Sequence, residues 1–265
     1  MKILNGEIIS NEKYGKDLYR IEVFSPYICR NGGSGQFVNV KCSAEGVMDP
    51  FLRRPFSIYD IEEKFNVFSI LYLVRGKGTK FLSNRKKGDI LDFAGPLGKS
   101  IDTYNDTSKK FLLVGGGIGI APLYLLAKFL LKGNKNVFFA AGFRDNNFIE
   151  WGRDLNRLKI NYKIFTEDGS WGDIGLVTDF VRENIKKYSS YKICCCGPRN
   201  MLIKMQDILA GKNITAVALL EERMACGVGV CKGCAVKIRD KKQKFIYRTV
   251  CKDGPVFNLM EVIFD

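Results

Sequence analysis

A chain of 265 residues, 46% of them hydrophobic, is long enough to form two or three domains with buried cores. Its formal charge of +14 comes from short, scattered lysine runs such as NRKKG and DKKQK, which lie beside no recognition motif and argue against nucleic-acid binding. The chain has no histidine, which excludes Rieske clusters, histidine-ligated zinc and a histidine general base.

The first residues and the apolar stretches indicate where in the cell the protein is expected. MKILNGEIISNEKYG has no basic region followed by an apolar stretch, so no signal peptide is expected. APLYLLAKFLL is too short to span a bilayer and is interrupted by Lys128. We therefore expect a cytoplasmic protein without a membrane partner. Nine cysteines in a reducing compartment indicate metal binding or redox chemistry rather than disulfides.

Residues 1–100 read as short strands separated by Gly, Asn and Pro. The β-rich stretches are YRIEVFS, GQFVNVKC, RRPFSIYDI and FNVFSILYLV. This spacing is typical of a small antiparallel barrel or sandwich, and we expect an antiparallel β-barrel. The polar stretch SIDTYNDTSKK, residues 100–110, is typical of a linker.

Residues 101–213 change to alternating strands and helices. FLLVGG, NVFFAAGF, NYKIFTED and YKICCCG are buried strands, and APLYLLAKFLLKG has helical spacing with Pro122 near its start and Gly133 at its end. This alternation predicts a parallel α/β domain. A third, small domain is expected over residues 214–265, where the sequence ERMACGVGVCKGCAVKI occurs.

The cysteines of the third domain carry the most specific motif. Cys226, Cys231 and Cys234 are spaced C-x4-C-x2-C, and Cys251 follows. This is the plant-type spacing for a [2Fe–2S] cluster, and the interspersed glycines let the loop fold tightly with backbone N–H groups directed at sulfur. A structural zinc site is the alternative, although zinc sites usually pair two C-x2-C knuckles and only one such spacing is present here.

The stretch RRPFSIYD resembles the flavin motif of the ferredoxin–NADP reductase superfamily. The residues concerned are Arg54, Pro55, Phe56 and Ser57. The resemblance implies that Arg54 meets the FAD pyrophosphate, for which a fixed cationic fork is suited, and that Ser57 lies near the reactive edge of the flavin ring. Taken alone the motif is weak, because Arg-Pro pairs are common at strand starts.

A second stretch, ILYLVRGKGTKFL, resembles the second flavin segment of the same superfamily. It implies that Leu71, Tyr72 and Leu73 line the ring, and that Gly78 and Thr79 present backbone and hydroxyl donors to phosphate. Both segments occur in the order that the superfamily uses, which strengthens the prediction of a flavin site.

The nucleotide motif is LLVGGGIGIAPL. It is not the Rossmann fingerprint, since Ile120 occupies the place of the last glycine, but it resembles the superfamily's G-x-G-x-G-x-A-P loop through Gly115, Gly117 and Gly119. Glycines there permit close approach, and a helix N-terminus faces a pyrophosphate. CCCGPRNM resembles the late C-G-P signature, which implies that Cys196 and Gly197 lie near the nicotinamide.

The choice of nucleotide depends on charges at the adenosine end. Glu167 and Asp168 would repel a 2′-phosphate and favour NAD over NADP, while Arg144 argues mildly for NADP. Cys194 and Cys195 are interpreted as buried strand residues.

The order of the motifs predicts an electron relay. A nicotinamide exchanges two electrons as hydride, a [2Fe–2S] cluster passes one electron at a time, and a flavin does both, so FAD is expected between the cluster and NAD. The cofactors carry this chemistry, so no catalytic side chain is expected in the chain itself.

The whole chain resembles the electron-transfer subunits of the NAD-dependent (class 1B) dihydroorotate dehydrogenases. The shared motifs are RRP-x-S, GGGIG-x-AP, EERMACGVG-x-C-x-x-C and VC-x-DGPVF, most specifically over residues 221–257. The resemblance implies an NAD-dependent flavin and iron–sulfur oxidoreductase subunit of pyrimidine (UMP) biosynthesis. It carries electrons from the FMN of a catalytic subunit through the cluster and FAD to NAD+, in a heterotetramer of two catalytic and two electron-transfer subunits.

Two other functions stay open at this stage. One is an FAD/[2Fe–2S] NAD(P)H reductase subunit of another complex, of the ferredoxin:NADP oxidoreductase or sulfide dehydrogenase type. The cluster loops of those relatives tend to use an aspartate with three cysteines, whereas this chain has four cysteines. The other is a redox-sensing module that regulates a partner. The lysine-rich stretch KIRDKKQKFIYRT, between Cys234 and Cys251, is expected to form a roomy hairpin.

Overall fold

The structure, a computed structural model, describes residues 1–103, 105–240 and 242–264. Tyr104 of the predicted linker, Lys241 of the predicted hairpin, and Asp265 lie outside the described residues. The strands of the first domain form a seven-stranded antiparallel sheet in the order β4-β3-β7-β1-β2-β6-β5. Their bounds are β1 (Lys2–Lys13), β2 (Leu18–Phe24), β3 (Phe37–Val40), β4 (Arg54–Ser57), β5 (Asp60–Glu62), β6 (Val67–Leu73) and β7 (Ile90–Leu97). Helices α1 (Pro26–Asn31) and α2 (Lys77–Ser83) lie between the strands, with a 3-10 turn at Glu63–Phe65.

This sheet closes on itself through a very short connection. The edge strands β4 and β5 are consecutive in the chain and are joined only by Ile58 and Tyr59. The N–H of Ile58 donates to the carbonyl of Gln36 (3.0 Å), and the N–H of Tyr59 donates to the carbonyl of Ser69 (2.9 Å). The two edges are therefore held together, and the predicted antiparallel barrel is confirmed.

The sequence patterns missed two of the barrel strands. β1 and β7 lie outside the stretches that were predicted to be strands. In β1 only Gly6 and Ile8 are buried, so its sequence lacks the regular alternation that marks a half-buried strand. Both strands occupy the middle of the sheet, where β1 pairs with β7 on one side and with β2 on the other.

The second domain contains a mostly parallel sheet flanked by helices. Its order is β11-β10-β9-β8-β12-β13-β16, and the first six strands are parallel. The elements are β8 (Lys110–Gly116), α3 (Ile120–Lys132), β9 (Asn136–Phe143), α4 (Gly152–Leu158), β10 (Asn161–Thr166), β11 (Asp173–Ile174), α5 (Val177–Asn184), β12 (Lys192–Cys196), α6 (Arg199–Leu209) and β13 (Ala216–Leu219). Two 3-10 segments, Gly117–Gly119 and Asn146–Trp151, precede α3 and α4.

The third unit is small and built around a three-stranded antiparallel sheet, β15-β14-β17. The strands of this sheet are β14 (Ala235–Arg239), β15 (Phe245–Thr249) and β17 (Val262–Ile263). Strand β16 (Val256–Asn258) and a 3-10 turn at Leu259–Glu261 lie between β15 and β17 in the chain. β14 and β15 form the expected hairpin between Cys234 and Cys251.

The second and third domains share strands in the structure, so residue 213 does not separate them completely. β13 lies after the predicted boundary at residue 213, yet it pairs in parallel with β12 as part of the second sheet. β16 then adds to the edge of that sheet, antiparallel to β13. Residues 214–265 therefore supply two strands to the α/β domain as well as the cluster loop.

The three units share their hydrophobic cores. Phe37 and Leu97 of the barrel belong to the same buried cluster as Cys234 and Cys251. A second buried cluster joins Tyr59 and Leu71 of the barrel to helix α3, and a third fills the barrel interior. This continuous packing holds the units against one another. Within the described residues, no helix is both long and apolar enough to cross a membrane.

Candidate cofactor sites

The four cysteines of the cluster motif contact one another in two pairs. The Sγ atoms of Cys234 and Cys251 lie 3.3 Å apart, and Cys226 contacts Cys231 through that residue's backbone N–H (3.4 Å). Cys231 is exposed, whereas Cys234 and Cys251 are buried. Among the described residues no three potential ligands converge on one point. Two pairs of thiolates are the donor set of a two-iron cluster, so the residues fit the group.

Backbone N–H groups point at these sulfur atoms, as the glycine-rich sequence predicts. The N–H of Gly229 donates to Cys251 Sγ (3.0 Å), and that of Val228 donates to Cys226 Sγ (3.4 Å). Gly227 and Gly229 have φ of 70° and 83°, in the left-handed region that favours glycine. The tight loop therefore depends on these glycines.

Hydrogen bonding separates the pKa values of two of these thiols. Burial raises the pKa of Cys226, but the N–H groups of Cys231 and Val228 outweigh it and lower the pKa to about 6. Burial, reinforced by the neighbouring Cys234, raises the pKa of Cys251 to about 12. The loop thus already favours negative charge on Cys226, as a metal ligand requires.

A cleft of about 730 Å³ beside the barrel collects most of the predicted flavin residues. Phe56 meets Tyr72 edge to face at a centroid distance of 5.8 Å, and the Tyr72 hydroxyl donates to Asn11 Oδ1 (3.1 Å). The predicted residues that line this cleft are Arg54, Pro55, Phe56, Ser57, Leu71, Tyr72 and Leu73. An apolar wall flanked by cationic side chains such as Arg54 fits a flavin nucleotide, whose ring is apolar and whose phosphates are anionic.

The other two predicted flavin residues, Gly78 and Thr79, are not part of the cleft wall. Both lie in α2, where Gly78 packs closely against the barrel, since an added Cβ would lie 3.0 Å from Cys42 Cβ. The Thr79 hydroxyl accepts the N–H groups of Arg75 (2.8 Å) and Gly76 (3.1 Å), and so caps the helix. A phosphate contact by Thr79 stays a prediction.

A second cleft, of about 800 Å³, lies at the glycine loop of the α/β domain. Gly117, Gly119 and Gly197 line it, together with Gly116. A Cβ on Gly119 would lie 2.3 Å from the carbonyl oxygen of Cys196, so only glycine allows the loop to approach β12 this closely. A loop of such glycines before α3 fits a dinucleotide pyrophosphate.

The structure places Gly115 and Cys196 behind this cleft rather than on its wall. Gly115 lies within β8, where an added Cβ would be 2.8 Å from Ile120 Cγ2. Cys196 is 1% exposed at the end of β12, and burial raises the pKa of its thiol well above the ordinary value. Cys194 and Cys195 are also buried in β12.

The charged residues at the adenosine end separate into two groups. Glu167 and Arg144 line the nucleotide cleft. Asp168 does not, and its carboxylate accepts the hydroxyl of Ser170 (2.6 Å), which lowers the pKa of Asp168. Glu167 is therefore the acidic side chain of the pair that the structure directs to the cleft.

The two clefts share a wall, which the sequence motifs did not predict because its residues come from different motifs. Leu73, Arg75, Ile118 and Glu221 line both of them. The exposed surface of Glu221 faces the clefts, and the surrounding protein raises the pKa of its carboxyl above the ordinary value. Glu221 opens the EERMACGVG motif, but no spacing rule relates it to the glycine loop, which ends at Gly119 far earlier in the chain.

The cluster loop lies against the flavin strands. Arg223 and Met224 line the flavin cleft, and Met224 stands two positions before Cys226. A Cβ on Gly227 would lie 2.8 Å from Nδ2 of Asn39, which is paired with Pro55 in the barrel sheet. The cluster loop therefore adjoins the flavin cleft, and the flavin cleft adjoins the nucleotide cleft.

Comparison with known proteins identifies relatives along the whole chain. Residues 221–263 match the family model described as the iron–sulfur cluster binding domain of dihydroorotate dehydrogenase B. The dihydroorotate dehydrogenase B (NAD(+)) electron transfer subunit of Caldanaerobacter subterraneus subsp. tengcongensis is 40% identical over 262 residues, covering 98% of each chain. The corresponding subunit of Bacillus cereus strain Q1 is 34% identical over 264 residues, covering 99% of each chain.

Solved structures agree with this fold. A structure of NADH-dependent reduced ferredoxin–NADP oxidoreductase, described in work on flavin-based electron bifurcation, superposes with a TM-score of 0.83 at 27% identity, covering 97% of this chain and 89% of that one. The ferredoxin reductase in carbazole 1,9a-dioxygenase has the same fold at 21% identity and a TM-score of 0.67, covering 80% of this chain and 66% of that one. With its barrel, nucleotide domain and four-cysteine loop, the chain belongs to the family of dihydroorotate dehydrogenase B (NAD(+)) electron transfer subunits.

Proposed function

We propose that the chain is the electron-transfer subunit of an NAD-dependent dihydroorotate dehydrogenase in pyrimidine (UMP) biosynthesis. It carries electrons from the FMN of a catalytic subunit through its [2Fe–2S] cluster and FAD to NAD+. The observation that carries this proposal is the unbroken series of sites: Arg223 and Met224 join the cluster loop to the flavin cleft, and Leu73 and Ile118 join that cleft to the nucleotide cleft.

The residues have distinct roles in this proposal. FAD, when bound, supplies the exchange between hydride transfer and single-electron transfer. Arg54 holds its pyrophosphate through charge-assisted hydrogen bonds, and Ser57 offers a hydroxyl at the ring edge. Leu71, Tyr72 and Leu73 form the apolar wall beside the ring.

The nucleotide and cluster sites complete the set. Gly117 and Gly119 admit the pyrophosphate of NAD, with Gly115 and Cys196 supporting that loop from behind. Glu167 repels a 2′-phosphate and so favours NAD over NADP. Cys226, Cys231, Cys234 and Cys251 would hold the cluster, and Cys231 is the exposed residue of the four.

The partner in this proposal is an FMN-containing catalytic subunit, in an assembly of two catalytic and two electron-transfer subunits. The chain's relatives carry the name of a subunit, which supports a catalytic partner. Nine cysteines, four of which would hold the cluster, support a reducing, cytoplasmic location.

The experiment uses protein purified without oxygen from its host, together with whatever copurifies. Dihydroorotate is added to one sample and NADH to a second, while the visible spectrum is recorded. The proposal expects both donors to bleach the flavin and cluster bands. Bleaching by NADH alone, with a partner subunit present, would assign the chain to another enzyme. A sample lacking both bands would overturn the proposal.

A second candidate has one specific observation in its favour. The structure of NADH-dependent reduced ferredoxin–NADP oxidoreductase covers 97% of the chain with a TM-score of 0.83. It would make this chain the NAD(P)H reductase subunit of a different complex. Reduced ferredoxin in place of dihydroorotate, in the same spectroscopic assay, distinguishes the two.

A further inference from the structure

The flavin and nucleotide clefts belong to different domains and meet at one wall. The flavin cleft lies along β4 and β6 of the barrel, whereas the nucleotide cleft lies along the glycine loop of the α/β domain. Hydride transfer needs donor and acceptor atoms about 3–3.5 Å apart, and a displacement of about 1 Å costs about 100-fold in rate. Contacts that fix one domain against the other therefore control this step.

The most deeply buried polar contact between the two domains centres on Asp154. This residue lies in α4, is 1% exposed, and accepts the hydroxyl of Tyr59, which is fully buried in the barrel. Arg157 donates to Asp154 Oδ1 (3.1 Å), and Arg20 of β2 lies 3.8 Å from the same oxygen. Arg20 is also paired with Glu22 (2.7 Å). The Asp154 carboxylate is therefore held by Tyr59 and Arg20 of the barrel and by Arg157 of the α/β domain.

Tyr59 and Asp154 are each close in the chain to residues that line a cofactor cleft. Tyr59 is one of the two residues that close the barrel, and it stands two positions after Ser57 of the flavin cleft. Asp154 follows the 3-10 segment Asn146–Trp151, whose Asn147 and Phe148 line the nucleotide cleft. A shift at the Tyr59–Asp154 bond is thus transmitted to the walls of both clefts.

Neighbouring contacts make the same junction stiff. The ring of Tyr59 stacks on Tyr124 of α3 at a centroid distance of 4.6 Å. Asn147 accepts the backbone N–H of Lys16, and a Cβ on Gly15 would lie 2.0 Å from the Asn147 carbonyl oxygen. Burial, together with the charge of Asp154, raises the pKa of Tyr59, so its hydroxyl remains a donor.

We infer that Asp154 and Tyr59 are positioning residues that set the nicotinamide site against the flavin. They touch neither cofactor cleft, and their effect is on the distance between the two. The inference rests on the proposed function in one respect, namely that FAD and NAD occupy these clefts. It adds that the rate of hydride transfer depends on a polar bond buried between the domains.

The test uses the full chain loaded with FAD and cluster, as Tyr59→Phe and Asp154→Asn variants. Stopped-flow absorbance follows flavin reduction over a range of NADH concentrations without oxygen. We expect the limiting rate to fall about 10-fold or more in both variants, with the apparent Kd for NADH within about twofold and the FAD content unchanged. The matched control is Glu150→Gln, which breaks an exposed pair with Arg153 in the adjoining segment.

A second readout does not depend on turnover. Binding of NAD+ to the oxidised protein is followed through the change in the flavin absorption band, which reports contact between nicotinamide and flavin. We expect a smaller band change in both variants at saturation, while Glu150→Gln matches the unaltered chain. Tyr59→Phe removes one hydroxyl and leaves the ring packing intact, so it decides the matter if Asp154→Asn does not fold.

The outcomes separate this inference from the proposed function. A limiting rate and a band change in folded Tyr59→Phe equal to those of the unaltered chain would overturn the inference and leave the function standing. An unaltered chain that binds FAD but is not reduced by NADH would overturn both. A lower melting temperature with an unchanged limiting rate would show a structural contribution only, which also contradicts the inference.

Discussion

The cluster loop and the paired clefts are two cofactor regions built in opposite ways. Three of the four cluster cysteines lie within nine consecutive residues, and the fourth follows after one hairpin. The wall between the clefts is made by residues from the barrel, from the glycine loop and from the start of the cluster motif, namely Leu73, Ile118 and Glu221. The first region is local in sequence, whereas the second exists only after three segments have packed together.

This difference predicts different responses to substitution. A change in the cluster loop removes a ligand or a backbone conformation, so its effect stays with one cofactor. A change at the cleft wall alters the relation between two cofactors that each remain bound. The four substitutions below test whether the regions behave as separately as their construction indicates.

The largest effect is expected for Cys231→Ser, which removes the exposed residue of the four proposed cluster ligands. Because each iron needs two thiolates from the chain, the cluster should be lost and the iron content should fall close to zero. FAD content and flavin reduction by NADH should persist. Iron analysis and visible spectra provide the measurement, with Cys29→Ser in the barrel as the control. An intact cluster spectrum in Cys231→Ser would contradict the ligand assignment.

Gly119→Ala should abolish most nucleotide binding and spare the other two cofactors. The added Cβ would lie 2.3 Å from the backbone oxygen of Cys196, so the loop must move away from β12. Overpacking of this kind costs about 1–3 kcal/mol, and we expect affinity for NAD+ to fall about 100-fold. Titration calorimetry measures it. Gly133→Ala, with its nearest contact at 3.4 Å, should bind NAD+ normally, and equal affinity in the two variants would contradict the prediction.

Arg54→Gln should weaken FAD while leaving the cluster in place. A hydrogen bond to a charged group contributes about 1.5–3 kcal/mol, so the Kd for FAD should rise about 10-fold or more. The neighbouring Arg53 is a matched control, because it is paired with Asp92 at 2.7 Å and does not line the cleft. FAD release on dilution, followed by fluorescence, measures both variants. If Arg53→Gln releases FAD as readily, Arg54 has no special role.

The smallest effect is expected for Glu221→Gln, at the shared wall. The pKa of Glu221 is raised in the folded protein, so its ionisation opposes folding above that pKa and has no effect below its ordinary value of about 4.3. Because solvent screens this exposed side chain, the variant should be more stable than the unaltered chain at pH 8 by no more than about 0.5 kcal/mol, with the difference vanishing towards pH 4. Urea unfolding of the FAD-free chain across this pH range measures it. A larger advantage at low pH would contradict the assigned shift.

Much of the fold was accessible from sequence because its signals are local. Continuous apolar runs with clear ends mark the strands FLLVGG and NVFFAAGF and the helix between them, and the structure has these elements at β8, β9 and α3. β1 carried no such signal, since only Gly6 and Ile8 are buried along its twelve residues. Its place in the barrel comes from pairing with β7 and β2, and such pairing is not encoded in its own pattern.

The candidate sites divide along the same line. Arg54 and Ser57 line one cleft and Gly117 and Gly119 line the next, and motifs could point to these residues because each motif is a short, contiguous backbone feature. The motif did not indicate what the Thr79 side chain does in the fold. Its hydroxyl caps α2, and this use depends on where the chain turns at Gly76.

Local sequence specifies the cysteine motif, the glycine loop and the alternation of strands and helices, because each depends on residues close together in the chain. Tertiary structure alone decided that β13 and β16 join the α/β sheet, that Glu221 lies between the two clefts, and that Asp154 meets Tyr59 across 95 positions. The physical reason is that contacts between distant segments depend on how complete surfaces pack, and no residue pattern within one segment specifies its partner.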